Sequence, residues 1–259
     1  MRMWKTLAKS VQGISHRRAN IPCQDSCIAS ICHVGGEEIL ILAVSDGAGS
    51  AERSDVGSRI ACESTLRIVL EDLKQRDGMS TVSFEQATRW YNLVLSDLEK
   101  QAVMCGVPLR QLACTLLVAV IGEAGGAFCQ LGDGAIVVKL ANEFQHVFWP
   151  QSGEYANTTN FITAGRFHNE LMFEWRAGCI AEIAVFTDGL QSVALDYARR
   201  QAHEPFFLPL FQAIKNQANP ENLEAPMQSF LESPNLAERT DDDLTLILAT
   251  RNSPDDAIF

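Results

Sequence analysis

Short, nearly unbroken apolar runs alternate with stretches whose apolar residues recur at helical spacing. Segments 5–12, 25–34 and 38–45 read as strands, and the third, rich in Ile and Leu, stops at Asp46-Gly47, where the chain should turn. Val56, Ile60, Ala61 and Val69 supply part of a stripe that predicts a helix over about 52–75, with Ser50 or Ser54 as its cap. A second helix over about 83–104 places Phe84, Ala87, Tyr91, Val94, Leu95, Leu98 and Ala102 on one face. Strands at 112–121, 125–131 and 135–141 follow, parted by Gly-Glu-Ala-Gly-Gly (122–126) and Gly-Asp-Gly (132–134), and read as an antiparallel meander. The stretch 142–178, with Pro150, Gly153, Asn157, Gly165 and Gly178, is predicted to be irregular and the mobile loop region. A strand at 180–187 ends at Asp188-Gly189. Helical segments interrupted by Pro205, Pro209, Pro220 and Pro226 fill much of 190–232, and a last strand, 244–250, is entered through Asp241-Asp242-Asp243.

Strict β-α alternation is absent, so the pattern points to a layered α+β fold with antiparallel sheets, in one domain over 1–259. At 259 residues and 47% hydrophobic, the chain can bury one large core. A net charge of −11, with only the isolated doublets Arg17–Arg18 and Arg199–Arg200, argues against a nucleic-acid partner. No run approaches the roughly 20 apolar residues that cross a bilayer. The first residues lack a signal-peptide pattern, so a cytoplasmic protein without a membrane partner is expected. In that compartment the eight cysteines are expected to be reduced. Cys23, Cys27, Cys32 and His33 match no common zinc spacing.

Three apolar strands carry aspartates at their ends: Asp46, Asp188 and the triplet 241–243. Asp-Gly is a common turn pair, and an acidic run is commonly a solvated loop. Three such sites, each joined to an apolar run, shift the balance toward a shared acidic centre, while the triplet by itself still reads as a solvated loop. Adjacent carboxylates repel, and hard divalent cations such as magnesium or manganese remove that cost.

Five segments in order resemble the metal-dependent protein phosphatases of type 2C, in their compact bacterial form. They are GISHRRANIPCQDS (13–26), LAVSDGAGSAERSDVGSRIA (42–61), ACTLLVAV with CQLGDGAIVV (129–138), AVFTDGLQSV (184–193) and TDDDLTLILA (240–249). The resemblance implies a four-layer α-β-β-α sandwich with a metal cleft at one end. It implies two Mn2+ or Mg2+ ions, with a third in some relatives, and hydrolysis of protein phosphoserine and phosphothreonine by an activated bridging water. Position by position, Asp46 would bridge the ions and the Gly47 carbonyl would be a ligand. Asp188 and Asp242 would complete the catalytic metal set, and Asp133 would match the third-metal position. Asp25 would stand behind the ligands and orient water. Partners would be phosphoproteins made by an opposing Ser/Thr kinase, met by a monomer.

The chain departs from the family pattern at Gln24, Ala48 and Ala135, where the family often has an acidic residue, a histidine and an arginine. Asn20 stands at the usual offset of the phosphate-binding arginine, leaving Arg17, Arg18 and His16 as candidates, each equally readable as a surface or capping residue. These departures motivate an alternative, a weakly active pseudophosphatase serving as a regulatory binding module. An aspartate hydrolase of the haloacid dehalogenase kind would need Asp-x-Asp at the first site, and residue 48 is Ala. Trp149, Tyr155, Phe161, Phe167, Phe173 and Trp175 read as rings that pack the 142–178 loop onto the core, or as a docking surface.

Overall fold

In the computed structural model, which describes residues 3–79, 81–140, 143–151, 159–165 and 167–251, the apolar runs pair into two five-stranded antiparallel sheets. The elements in order are β1 (Lys5–Val11), α1 (Ile14–Ala19), β2 (Ser26–Val34), β3 (Glu37–Ser45), α2 (Ser54–Gln75), α3 (Phe84–Cys105), β4 (Leu116–Ile121) and β5 (Gly125–Leu131). Next come β6 (Ala135–Leu140), β7 (Glu143–His146), β8 (Met172–Ala177), β9 (Glu182–Phe186), α4 (Gln191–Ala194), β10 (Leu195–Asp196) and β11 (Gln201–Ala202). The chain closes with α5 (Glu204–Asn216), α6 (Glu224–Leu231), α7 (Pro234–Ala237) and β12 (Leu244–Thr250). One sheet has the order β1-β12-β9-β6-β7 and the other β2-β3-β4-β5-β8, while β10 and β11 form a separate hairpin.

The period-2 geometry of strands explains the layering. In β3, Ile39, Ile41 and Ala43 face the core under α2 and α3, whereas Leu40, Leu42 and Val44 meet Ile136, Val138, Val185 and Ile247 of the other sheet. In β12, Leu244, Leu246 and Leu248 pack against Phe207 and Phe211 of α5, while Ile247 and Ala249 point between the sheets. Both faces of these strands are buried, so their sequences read as unbroken apolar runs. The result is the four-layer α-β-β-α sandwich that the resemblance implied.

Three expectations are corrected. The strands of 112–141 are not one meander: β5 pairs with β4 and β8, whereas β6 pairs with β7 and β9. The Gly-Asp-Gly turn, with Gly132 at φ 119, carries the chain from one sheet to the other. Periodicity fixes faces but not which neighbour a strand takes. Second, 142–178 is not wholly irregular, because it contains β7 and β8. Within it Phe167 is buried, Trp149, Phe173 and Trp175 pack partly buried on the cores, and Phe161 lies against Ala48, Ala51 and Ala113. Gly153, Tyr155 and Asn157 fall outside the described residues. Third, α2 has Arg53 at its cap position with no side-chain cap, and Ser54 is buried with its hydroxyl on the Ala51 carbonyl. All eight cysteines are free. Among the described residues no helix is long and apolar enough to cross a membrane.

Candidate metal centre

β4 begins at Leu116 rather than near 112, because residues 113–115 run alongside the turn that follows β3. The Asp46 N–H donates to Thr115 Oγ1 at 2.9 Å, and the Thr115 N–H donates back to the Asp46 carbonyl at 2.8 Å. Ser45 Oγ donates to the Thr115 carbonyl, and the Ala48 N–H to the Ala113 carbonyl. The backbone that carries the Asp46 carboxylate is therefore fixed on both sides.

The glycines after Asp46 and Asp188 share a steric cause. A Cβ on Gly47 would lie 2.6 Å from the Gln24 carbonyl oxygen, and one on Gly189 would lie 2.4 Å from that of Asp243. Close backbone approach, rather than unusual torsion, demands glycine at both. The Gly47 N–H uses that approach to donate to the Gln24 carbonyl at 3.1 Å.

These turns bring one carboxylate oxygen each from Asp46, Asp133 and Asp188 within 4.8 Å of one another. Asp133 arrives by the crossover between sheets. Thr159 Oγ1 donates to its Oδ2 at 2.7 Å, Gln191 Nε2 donates to its backbone carbonyl, and its Oδ1 is buried without a partner. Asp25 is buried beside the cluster, accepting from Thr187 Oγ1 at 2.8 Å.

The aspartate triplet divides into three roles. Asp241 is exposed, and its carbonyl accepts from the Ser15 N–H and hydroxyl. Asp242 lies at the rim of the cluster, exposed as a residue but with its carboxyl partly shielded from water. Asp243 is buried and accepts from the backbone N–H groups of Gly13 and Gln24, both at 2.6 Å. His16 Nδ1 also lies 2.9 Å from Asp243 Oδ2, though not aligned as a hydrogen bond. The acidic run marked this end of the molecule, but nothing in its sequence singled out Asp243 as the buried anchor.

Burial is the largest cause pushing the carboxyls of Asp25, Asp46, Asp133, Asp188 and Asp242 above the usual range. Asp46 is pushed further by Asp25, Asp188, Asp242 and Asp133. Asp188 is raised to about 6, by burial and then by Asp133 and Asp242. Among the described residues no lysine or arginine pairs with any of the five. A concentrated set of oxygen donors, one of them orphaned, fits a hard divalent cation.

The remaining sequence candidates lie nearby with different engagements. Arg17 is paired with Glu232 of α6 at 2.9 Å, and Arg18 is exposed. Gln24 is buried, with its side-chain oxygen unpartnered and its backbone joined to Gly47, Ser58 and Asp243. Ala48 and Ala135 are buried, so neither position offers a polar group to the cleft. Cys23, Cys27, Cys32 and His33 do not gather into a metal-ligand cluster among the described residues.

Residues 12–232 match a family model described as protein phosphatase 2C. The chain is 34% identical over 249 residues to serine/threonine-protein phosphatase 3 of Escherichia coli (strain K12), covering 95% of this chain and 98% of that protein. Its fold is similar to the catalytic domain of the serine/threonine protein phosphatase PstP in complex with two manganese ions, with a TM-score of 0.65 and 15% identity, over 98% of this chain and 100% of that one. It is also similar to the serine/threonine phosphatase Stp1 from Staphylococcus aureus, with a TM-score of 0.60 and 15% identity, over 97% and 96% of the two chains. At such low identities these two structures speak to the fold alone.

Proposed function

The chain belongs to the protein phosphatase 2C family, and from that membership we propose a metal-dependent phosphatase that hydrolyses phosphoserine and phosphothreonine in proteins at the Asp46–Asp133–Asp188 cluster. The observation that carries the reading is the gathering of unpaired carboxylates at one end of the sandwich in a chain of this family. Residues 1–259 would act as one catalytic domain, as a monomer, on phosphoproteins made by an opposing Ser/Thr kinase.

In this reading Asp46, the Gly47 carbonyl, Asp188 and Asp242 would hold two Mn2+ or Mg2+ ions, and Asp133 with Asp188 would hold a third. Bound there, such cations would supply an acidified water and positive charge facing the phosphoryl oxygens. The chain's own contribution is preorganisation. Asp46 and Asp188 end strands whose backbones are pinned, so the carboxylates need no rearrangement when the reaction begins. Asp25, fixed by Thr187, orients water from behind the ligands. Arg17 is engaged by Glu232, which leaves His16, set against Asp243, and Arg18 as the better placed of the three phosphate candidates.

The test is hydrolysis of a phosphothreonine peptide with manganese, with magnesium and with chelator, with Asp188→Asn run beside the natural chain. Activity that requires metal and disappears in the variant is expected. Well-folded, metal-loaded protein without turnover would reject the enzyme and leave a regulatory binding module.

A further inference from the structure

The β10–β11 hairpin is tied to the acidic cluster but takes no part in the mechanism above. Its four-residue tip runs Tyr197 to Arg200. Tyr197 Oη donates to Gln191 Oε1, and Gln191 Nε2 donates to the backbone carbonyl of Asp133. Two hydrogen bonds thus link the tip to a cluster aspartate. Burial raises the Tyr197 phenol, and Asp188 and Asp133 raise it further, consistent with that proximity. Yet Tyr197 is 53% exposed, an unusual condition for a large ring tethered beside a cleft.

Arg200 adds three observations. It is one of three non-glycine residues with positive φ among those described, at 52°, and the other two are Asn20 and Asp77, types that tolerate this region. An arginine gains nothing from that torsion, and backbone strain of this kind persists where surrounding structure enforces it. Its guanidinium sits 5.3 Å from the Trp149 ring centroid, and Trp149 packs edge-on to both Tyr197 and His146 at 5.2 Å. Among the described residues no carboxylate pairs with it, whereas the adjacent Arg199 is held by Asp196 at 3.3 Å.

We propose that Arg200, held on Trp149 at the tip beside Tyr197, reads an acidic side chain flanking the phosphoresidue of the substrate. This rests on the phosphatase reading and names the substrate class that the same cleft prefers. A chain of net charge −11 with clustered carboxylates repels acidic peptides, so a guanidinium held at the rim, without a carboxylate partner among the described residues, supplies local attraction. Its planar fork suits a carboxylate, and its stacked position limits the entropy lost on contact.

The test uses the full chain with manganese and fluorescent peptides bearing a non-hydrolysable phosphothreonine phosphonate, flanked by Glu, Gln or Lys. Anisotropy reads binding, and hydrolysis of p-nitrophenyl phosphate is followed in parallel. The natural chain is expected to bind the Glu peptide about three- to fivefold more tightly than the Gln peptide, the range of an exposed charge pair, with the Lys peptide weakest. Arg200→Gly should remove that ranking, leave p-nitrophenyl phosphate turnover unchanged and not lower the melting temperature, since glycine accepts the torsion. Arg199→Ala should keep the ranking. Equal or undetectable binding of the three peptides, a ranking that survives Arg200→Gly, or equal loss in Arg199→Ala would overturn the proposal. Absence of p-nitrophenyl phosphate turnover would instead reject the phosphatase reading, and the peptide ranking would still decide the role of the hairpin.

Discussion

Where β3 and β9 finish, buried acids crowd against one another; where β9 begins and β12 ends, charges are matched. At that far end Glu182, which is 2% exposed, lies 3.5 Å from Lys139 and 2.5 Å from Lys215. Arg251 is buried, donates to the carbonyls of Ile180 and Gly122, and stacks 4.6 Å from the Trp4 ring centroid. At the near end, His16 beside Asp243 is the one basic ion-pair partner recorded among the described residues for the aspartates of that cluster and its anchor. Both ends bury charge in the same sandwich. The far end contains its own counter-charges, and the near end leaves a deficit that cations can fill.

Removing one acid from each end gives the largest contrast. If Asp188 holds the cations as proposed, Asp188→Asn should lower turnover by about three orders of magnitude or more, since several kcal/mol of transition-state stabilisation would be lost with it. The same change should stabilise the metal-free protein at neutral pH by up to roughly 3 kcal/mol, since a carboxyl raised to about 6 is ionised there at a cost. Glu182→Gln should act in the opposite sense. It deprives Lys139 and Lys215 of their carboxylate and should lower stability by about 1–3 kcal/mol, with kcat/KM unchanged. Thermal melts in chelator together with peptide turnover test the contrast. A metal-free melting temperature that falls in Asp188→Asn would remove the idea that the near end is electrostatically strained.

Proton linkage should separate the ends next. The folded pKa of Asp188 lies above the ordinary carboxylate value, so its protonated form is the one that favours folding. Its contribution is fully present below about pH 4 and is lost as pH rises through about 6. In chelator, stability should therefore decline between pH 5 and 7. Saturating Mn2+ should reverse the trend, because cation binding requires ionised carboxylates and stabilises only the folded chain. Melting curves across this interval, with and without metal, supply the measurement. Asp188→Asn should make the slope in chelator shallower, with the other raised carboxyls keeping part of it, and Glu182→Gln should leave it in place.

The contrast between the ends was unevenly legible in the sequence. The strand over 38–45 was readable as a short apolar run before a turn, and one outer layer followed from the two helical stripes, whereas the helices of the other layer appeared only as proline-interrupted segments. Asp46 and Asp188 stood out as acids closing apolar runs before glycine. The crossover that delivers Asp133 was not readable, since the edge on which β6 pairs depends on the second sheet and on the carbonyl of Phe186, which lies 2.6 Å from where a Cβ on Gly134 would stand. Asp243 was hidden inside a uniform acidic triplet, where only the positions of Gly13 and Gln24, more than 200 residues away in sequence, distinguish one carboxylate from the next. Glu182 lay inside the strand expected over 180–187 and nothing singled it out, because its lysine partners come from β6 and α5.

The smallest expected effect tests whether the near end is tuned as well as crowded. Thr159 donates to one oxygen of Asp133 and favours its ionised form, while the other oxygen remains buried and unpartnered. Thr159→Val keeps the shape and removes the donor. With the ionised form less favoured, Asp133 should hold a cation less tightly, by about three- to tenfold, as expected from losing one hydrogen bond of roughly 1 kcal/mol to a charged acceptor. Sites built mainly from Asp46 and Asp188 should keep their affinity. A manganese titration should therefore keep its tight phase and shift only its weaker one, with global stability changed by no more than about 1 kcal/mol. If both phases moved together, Asp133 would belong to the same electrostatic unit as Asp46 and Asp188, and the near end would behave as one site rather than as a pair with a separable third position.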